Sequence, residues 1–200
     1  MKLLIVGATG TIGKAVTAEL QKRHQVIQAG YSRGEIQVDI TSAASIEKLY
    51  QQTGPFDALI ATAGNGYWGP FAQMGEKEFY QGIHSKLMGQ VNLVLIGQRY
   101  INPGGSFTLT TGMLANEPVK NAANLSVVNA AVNAFVMAAA PELNNGVRIN
   151  AVSPGVVADS AEKYASSFPG HVPVAMNRVV AAYVKSVEGI LTGQVLNVHI

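Results

Sequence analysis

Three glycines, each three residues from the next, stand near the amino terminus in the segment GATGTIG at 7–13. An apolar, strand-like run precedes the segment and a helical pattern follows it. The alternative is a purely structural turn, which does not require this strand–loop–helix context. Gly7 and Gly10 permit tight backbone turns, and Gly13 allows the helix to approach the strand closely. The first turn of such a helix offers free N–H groups and the positive end of a dipole, so the segment predicts a diphosphate-binding loop. We expect the contacts to come from Gly7, Thr9, Gly10, Thr11, Ile12 and Gly13.

A hydroxyl and a guanidinium, Ser32 and Arg33, follow the next strand-like run in the segment AGYSRG at 29–34. A dinucleotide whose adenosine ribose has a free 2′-hydroxyl is usually held by an acidic residue near this point. Ser32 and Arg33 instead suit a 2′-phosphate, which accepts hydrogen bonds from both groups. The pair therefore favours NADP over NAD, and a solvated loop is the alternative for Arg33.

The segment NLSVVNAAVNAFVMAAA at 124–140 contains no side chain that ionises near neutral pH. Ser126, Asn129 and Asn133 recur along one stripe of it. The alternatives are an active-site helix, a membrane span and a helix that only packs. Asparagine side chains are costly in hydrocarbon, and the uncharged stretch ends at a Pro-Glu pair, so a membrane span is disfavoured.

Short apolar runs alternate with helical patterns along the chain, and these elements must position the segments above. Continuous apolar runs predict strands buried on both faces at 2–6, 25–29, 58–62, 106–110, 147–152 and 194–198. An alternating run at 35–40 predicts a more exposed strand. Helices are predicted at 11–23, 42–52, 75–100, 124–140 and 174–188. The alternation predicts an α/β fold: a Rossmann-type doubly wound parallel sheet of about seven strands flanked by helices, as a single domain over residues 1–200.

Composition excludes several classes of protein. Charged residues make up 13% of the chain, the net charge is +2 and no long basic run occurs, so neither nucleic acid nor a membrane is an expected partner. Without cysteine there is no disulfide and no thiolate catalysis, and no spacing among the four histidines suggests a metal site. The amino-terminal apolar run is too short for a signal peptide, so we expect a cytoplasmic protein.

The order of these segments resembles the short-chain dehydrogenase/reductase family over the whole chain. Besides the glycine loop, the resemblance is carried by TAG at 62–64, KLMGQVNLV at 86–94, GGSFTLTTG at 104–112, NAAVNAF at 129–135, RINAVSPGVV at 148–157 and TGQVLNV at 192–198. It implies further cofactor contacts, to the adenine, to the loop after the fourth strand and to the nicotinamide, at Asp39, Ile40, Thr62, Ala63, Gly64, Pro154, Gly155 and Val156. The glycine loop departs from the spacing Gly-x-x-x-Gly-x-Gly that is usual in this family.

The same resemblance implies a catalytic set that this chain does not carry. In the family a tyrosine passes the proton, a lysine lowers the pKa of that tyrosine, a serine binds the substrate oxygen and an asparagine holds a water. Alignment puts Leu125 at the tyrosine position and Asn129 at the lysine position. It puts Thr111 or Gly112 at the serine position and Lys86 at the asparagine position. Leucine cannot exchange a proton and asparagine carries no charge, so the remaining catalytic candidates are Thr111, Lys86 and Asn129.

Two functions stay open on the sequence. One is an NADP-dependent oxidoreductase acting on a small carbonyl or alcohol substrate, with its proton supplied by another group, for which the candidates are Tyr67, His84, Tyr164 and His171. The other is a non-catalytic module that senses NADP(H). The resemblance also implies a homodimer or homotetramer formed through helices 86–100 and 124–140, unless the alanines of these helices pack only on the chain's own sheet.

Overall fold

The computed structural model describes residues 1–199, which form one seven-stranded sheet with helices on both faces. All neighbouring strands pair in parallel, in the order β3-β2-β1-β4-β5-β6-β7. The strands are β1 (Lys2–Val6), β2 (Gln25–Gly30), β3 (Ile36–Gln37), β4 (Phe56–Ala61), β5 (Ile101–Thr110), β6 (Arg148–Pro154) and β7 (Val195–Val198). This confirms the predicted doubly wound sheet and its strand number.

The helices alternate with the strands, as the sequence pattern predicts. They are α1 (Thr11–Leu20), α2 (Ala43–Thr53), α3 (Glu76–Gly82), α4 (Gly89–Gly97), α5 (Ala123–Ala139), α6 (Ala161–Tyr164) and α7 (Met176–Glu188). A π-helical turn at Ile83–Met88 joins α3 to α4. Among residues 1–199, no helix has both the length and the apolar character needed to cross a bilayer.

Two predicted elements differ from the structure. The strand expected over 35–40 pairs only at Ile36 and Gln37, because the carboxylate of Asp39 then accepts hydrogen bonds from the N–H and hydroxyl of Thr41 and turns the chain. The single helix expected over 75–100 is divided by the π-helical turn. A glycine stands at each border of that turn and permits a close approach there, of Asn124 to Gly82 and of Ile40 to Gly89.

The strands at the centre of the sheet are buried on both faces, which explains their continuous apolar sequences. In β1, Leu4 packs on one side with α2, α4 and α5, and Ile5 packs on the other with α1 and α7. The strand order reverses between β1 and β4, because β2 and β3 lie on one side of β1 and β4 to β7 on the other. In open parallel sheets, ligands bind beyond the carboxyl ends of the strands at such a reversal.

Candidate functional site

The glycine loop lies at this reversal and is shaped by contacts that leave no room for side chains. Gly7 has a φ of +88°, in the left-handed region. A Cβ added at Gly13 would lie 2.1 Å from the carbonyl oxygen of Gly7, so α1 approaches the loop at the limit of contact. Gly10 is the N-cap of α1 and offers no side-chain cap. The N–H groups of the first turn of α1 therefore lie at the end of β1 without helical acceptors.

Two threonines flank the loop in different ways. The hydroxyl of Thr62, directly after β4, donates to the carbonyl oxygen of Val6 at 3.1 Å. The hydroxyl oxygen of Thr62 would lie 2.8 Å from a Cβ added at Gly13, so Thr62 packs against the loop. The hydroxyl of Thr9 faces the end of β2, 3.7 Å from the position of a Cβ added at Gly30.

A cavity of about 240 Å³ opens on the β2 side of the loop. Five of its lining residues are sequence candidates, namely Gly7, Asp39, Ile40, Ala63 and Gly64. The sequence reasoning missed the remaining lining residues, which are Val6, Gly30, Tyr31, Val38, Thr41, Asn65 and Ser85. Ser85 comes from the π-helical turn and accepts a hydrogen bond from the N–H of Asn65 at 3.0 Å. Only the turn brings it here, and no sequence pattern predicted that turn.

Ser32 and Arg33 lie on the exposed turn that links β2 to β3; they are not part of the cavity lining, which includes the two preceding residues, Gly30 and Tyr31. The turn folds back on the strand, since a Cβ added at Gly30 would lie 2.4 Å from the carbonyl oxygen of Arg33. The carboxylate of Glu35 accepts a hydrogen bond from the N–H of Gln28 at 3.0 Å. Among residues 1–199, no carboxylate forms an ion pair with Arg33.

A second cavity, of about 330 Å³, opens on the other side of the loop, and Gly64 lines both cavities. Its lining gathers cofactor and catalytic candidates from six separate parts of the chain: Thr11, Ile12, Gly64, Lys86, Thr111, Gly112, Leu125, Asn129, Pro154, Gly155 and Val156. The candidate proton donor Tyr164 also lines it, and the remaining lining residues are Trp68, Met113, Leu114, Val157, Ser160 and Phe168. Lys86 and Tyr164 are the two side chains in this lining that can ionise. We call this space the reaction cavity.

Lys86 is buried on the π-helical turn, where only 9% of the residue is exposed. Gln90 fastens this turn to β5: its amide nitrogen donates to the carbonyl oxygens of Lys86 (3.0 Å) and Thr110 (2.9 Å), and its amide oxygen accepts from the N–H of Thr110 (2.8 Å). Burial disfavours the charged amine and lowers the pKa of Lys86 to about 8. No carboxylate among the described residues pairs with it.

Thr111, Leu125 and Asn129 lie together on the α5 side of the reaction cavity. The hydroxyl of Thr111 donates to the carbonyl oxygen of Asn129 at 2.9 Å, so its proton is already used within the chain. Leu125 packs on the loop after β4, since a Cβ added at Gly66 would lie 2.5 Å from its side chain. The side-chain oxygen of Asn129 is buried and has no hydrogen-bond partner among residues 1–199. A buried amide oxygen without a donor is costly unless a ligand supplies one.

Three aromatic side chains cover the mouth of the reaction cavity. The ring centre of Phe168 lies 5.9 Å from that of Trp68 and 6.3 Å from that of Tyr164. They join the loop after β4 to the segment between β6 and α7. Of the other candidate proton donors, Tyr67, His84 and His171 lie outside this lining.

Comparison with known proteins agrees with this architecture. A family model described as "Enoyl-(Acyl carrier protein) reductase", one of the short-chain dehydrogenase/reductases, matches residues 6–188. The chain belongs to the short-chain dehydrogenase/reductase family. Among its relatives in this family is the "Putative ketoacyl reductase" of Streptomyces coelicolor, which is 24% identical over 89% of this chain and 80% of the relative.

Two solved structures superpose over the whole chain. The protein lin1944 from Listeria innocua is 42% identical, with a TM-score of 0.98 and 100% of both chains covered. A "small-chain dehydrogenase in complex with NADPH" is 29% identical, with a TM-score of 0.86 and coverage of 100% of this chain and 96% of the other. The predicted family and fold are therefore confirmed.

Proposed function

We propose that this chain is an NADP-binding oxidoreductase acting on a small carbonyl or alcohol, in which the usual catalytic residues of the family are replaced. The carrying observation is the pair of cavities that flank the glycine loop and meet at Gly64. One cavity on each side of the loop offers separate places for the two halves of a dinucleotide, with the diphosphate at the loop between them. The whole of residues 1–200 then acts as one nucleotide-binding domain.

The residues present fit this cofactor. The first-turn N–H groups of α1, at Thr11, Ile12 and Gly13, face the place for the diphosphate. The side-chain oxygen of Asn129, which has no partner among the described residues, could accept a hydrogen bond from a ribose hydroxyl. In other family members, the lysine at this position holds the ribose. When bound, NADPH supplies a hydride. The 29% identical dehydrogenase in complex with NADPH supports this assignment.

The turn after β2 favours NADP over NAD. Both carboxylates near the smaller cavity are engaged by their own surroundings, Glu35 by the N–H of Gln28 and Asp39 by Thr41. They are thus less available to a ribose 2′-hydroxyl. Arg33 has no such partner among the described residues, and Ser32 stands beside it. A 2′-phosphate would complete their hydrogen bonds.

The replaced residues favour one alternative function, a non-catalytic NADP(H) sensor. Leu125 stands in the reaction cavity at the position assigned to the tyrosine and cannot transfer a proton. Thr111 donates its hydroxyl proton to Asn129 and has none left for a substrate oxygen. A chain with these features would bind the cofactor without turnover unless another group supplied the proton.

The first experiment is a fluorescence titration of NADPH and NADH with the wild type, Arg33→Ala and Arg178→Ala. Arg178 is the matched control, because it is an exposed arginine on α7, away from both cavities. We expect Arg33→Ala to weaken NADPH about tenfold or more and to leave NADH nearly unchanged, since a charge-assisted hydrogen bond contributes about 1.5–3 kcal/mol. Equal losses for both nucleotides would contradict the role of Arg33. A panel of carbonyl compounds then separates enzyme from sensor by turnover.

We further propose that α5 pairs with a second copy of the chain, alongside α4. One stripe of α5 is exposed and entirely apolar, comprising Val127, Ala130, Ala134, Met137 and Ala138. Leu95 on α4 is also exposed. Light scattering after gel filtration measures the mass of the particle in solution. We expect Val127→Glu to lower this mass to half of the wild-type value or less, because the charge would disrupt the contact between copies. Ile190→Glu, at an exposed site outside these helices, is the control that should leave the mass unchanged.

A further inference from the structure

The reaction cavity contains a charged group that the family's usual chemistry does not use. Lys86 extends from the π-helical turn into a lining whose other members are apolar or neutral. Lys86 packs against Gly64 from the loop after β4, and the lining around it includes Thr111, directly after β5, and Leu125 and Asn129 from α5. None of them carries a charge, and Tyr164 on the cover is the one other ionisable group in the lining.

We propose that Lys86 is the proton donor of this site and that its substrate is an uncharged carbonyl compound with an apolar, ring-sized body. This inference rests on the function proposed above. The two titratable groups of the lining differ in burial: Lys86 is buried, with 9% of the residue exposed, whereas 37% of Tyr164 is exposed. A carbonyl oxygen bound at the buried part of the lining would therefore meet the ammonium group, and the rest of the molecule would contact Trp68 and Phe168, which also line the cavity.

The step balances with these groups. The carbonyl carbon receives the hydride that NADPH supplies when bound, the electron pair of the C=O π bond moves to the oxygen, and that oxygen takes a proton from the Lys86 ammonium. The product is an alcohol, and the neutral amine regains its proton from water. A cation next to the oxygen also stabilises the negative charge that develops there.

The turn that holds Lys86 fits this role. π-Helical turns in otherwise α-helical segments are frequent at functional sites. Here Gln90 ties the turn to the last residue of β5, and Gly64 lets the side chain pass, since a Cβ there would lie 3.1 Å from the Lys86 Cδ. The lowered pKa of about 8 keeps most of the amine protonated at neutral pH and makes it a better acid than a surface lysine.

The first test reads the amine without turnover. The wild type is treated, without nucleotide, with benzaldehyde and cyanoborohydride at a series of pH values, and modified lysines are located by peptide mass spectrometry. We expect Lys86 to be modified with a midpoint near pH 8 and to be modified in preference to the exposed Lys14 and Lys77. Modification of the exposed lysines without Lys86 would overturn the proposal, because the amine would then not reach a carbonyl in the cavity.

The second test compares Lys86→Met with Tyr164→Phe, each beside NADPH titrations. We expect Lys86→Met to lower kcat about 10²–10⁴-fold while changing NADPH affinity less than about threefold. For the wild type and Tyr164→Phe, kcat should fall above about pH 8. The role of Lys86 would be overturned if Lys86→Met turned over at the wild-type rate, or if only Tyr164→Phe lost turnover. It would also be overturned if the wild type bound NADPH but reduced no aromatic or aliphatic aldehyde. Absence of NADPH binding by the wild type would instead overturn the underlying function.

Discussion

The glycine loop and the reaction cavity meet at Gly64, yet they are built in opposite ways. The loop is defined by side chains that are absent, because Gly7 and Gly13 stand where any Cβ would meet the backbone or Thr62. The reaction cavity is defined by the side chains that are present, with one buried amine in an otherwise uncharged lining. Diphosphate recognition depends on backbone positions, which only a few sequences permit. Proton transfer depends on a single atom, which different positions of the same fold can supply.

The largest effect that this comparison predicts is that of Gly13→Ala. The added Cβ would lie 2.1 Å from the carbonyl oxygen of Gly7, which must move. We expect a loss of about 3 kcal/mol or more in the free energy of unfolding, measured by urea denaturation, and undetectable NADPH binding. The gain of about 1 kcal/mol in helix propensity is too small to offset it.

Gly10→Ala is the matched control for that clash. A Cβ at Gly10 would lie 3.4 Å from the same oxygen, an ordinary contact. We expect its stability to change by less than about 1 kcal/mol. Equal losses in the two variants would mean that the loop is not limited by the approach of α1.

In the reaction cavity the expected stability effect has the opposite sign. Burial lowers the pKa of Lys86 from 10.5 to about 8, which corresponds to a cost of about 3 kcal/mol for folding with a charged amine. Lys86→Met should therefore raise the free energy of unfolding by roughly 2 kcal/mol at pH 7, after allowance for imperfect packing. Between pH 8 and 10.5 the unfolded wild type binds more protons than the folded one, so wild-type stability rises with pH and the advantage of the variant shrinks.

That pH dependence separates electrostatics from packing. Urea denaturation at pH 7 and pH 10 gives the difference between the two proteins at each pH. An advantage of Lys86→Met that stayed constant would indicate a packing effect. A loss of stability at pH 7 would show that the amine finds a partner in the folded chain.

The two regions also differ in how far the sequence predicts them. The loop and the sheet follow from local patterns, because glycine spacing and apolar runs report backbone constraints directly. Asp39 and Ile40, which line the smaller cavity, follow only from the family resemblance. The burial of Lys86 did not follow, since a lysine within a helical pattern is normally solvated. It depends on the π-helical turn and on Gln90, which joins residues that are 20 apart along the chain. The contact between Trp68 and Phe168 did not follow either, because these two rings meet only in the folded chain.

The smallest expected effect concerns Lys14, which tests whether side-chain charge contributes to the loop at all. Lys14 is exposed, and its N–H donates to the carbonyl oxygen of Gly10 within the first turn of α1. If the backbone N–H groups and the helix dipole carry most of the diphosphate recognition, removal of an exposed charge should cost less than about 0.6 kcal/mol. Lys14→Gln should then weaken NADPH by less than about threefold at 0.15 M salt, measured in the same titration as Arg33→Ala. A tenfold loss of NADPH affinity that disappears at 1 M salt would instead show that the loop uses a side chain as well as its backbone. The loop and the reaction cavity would then both depend on side-chain charge.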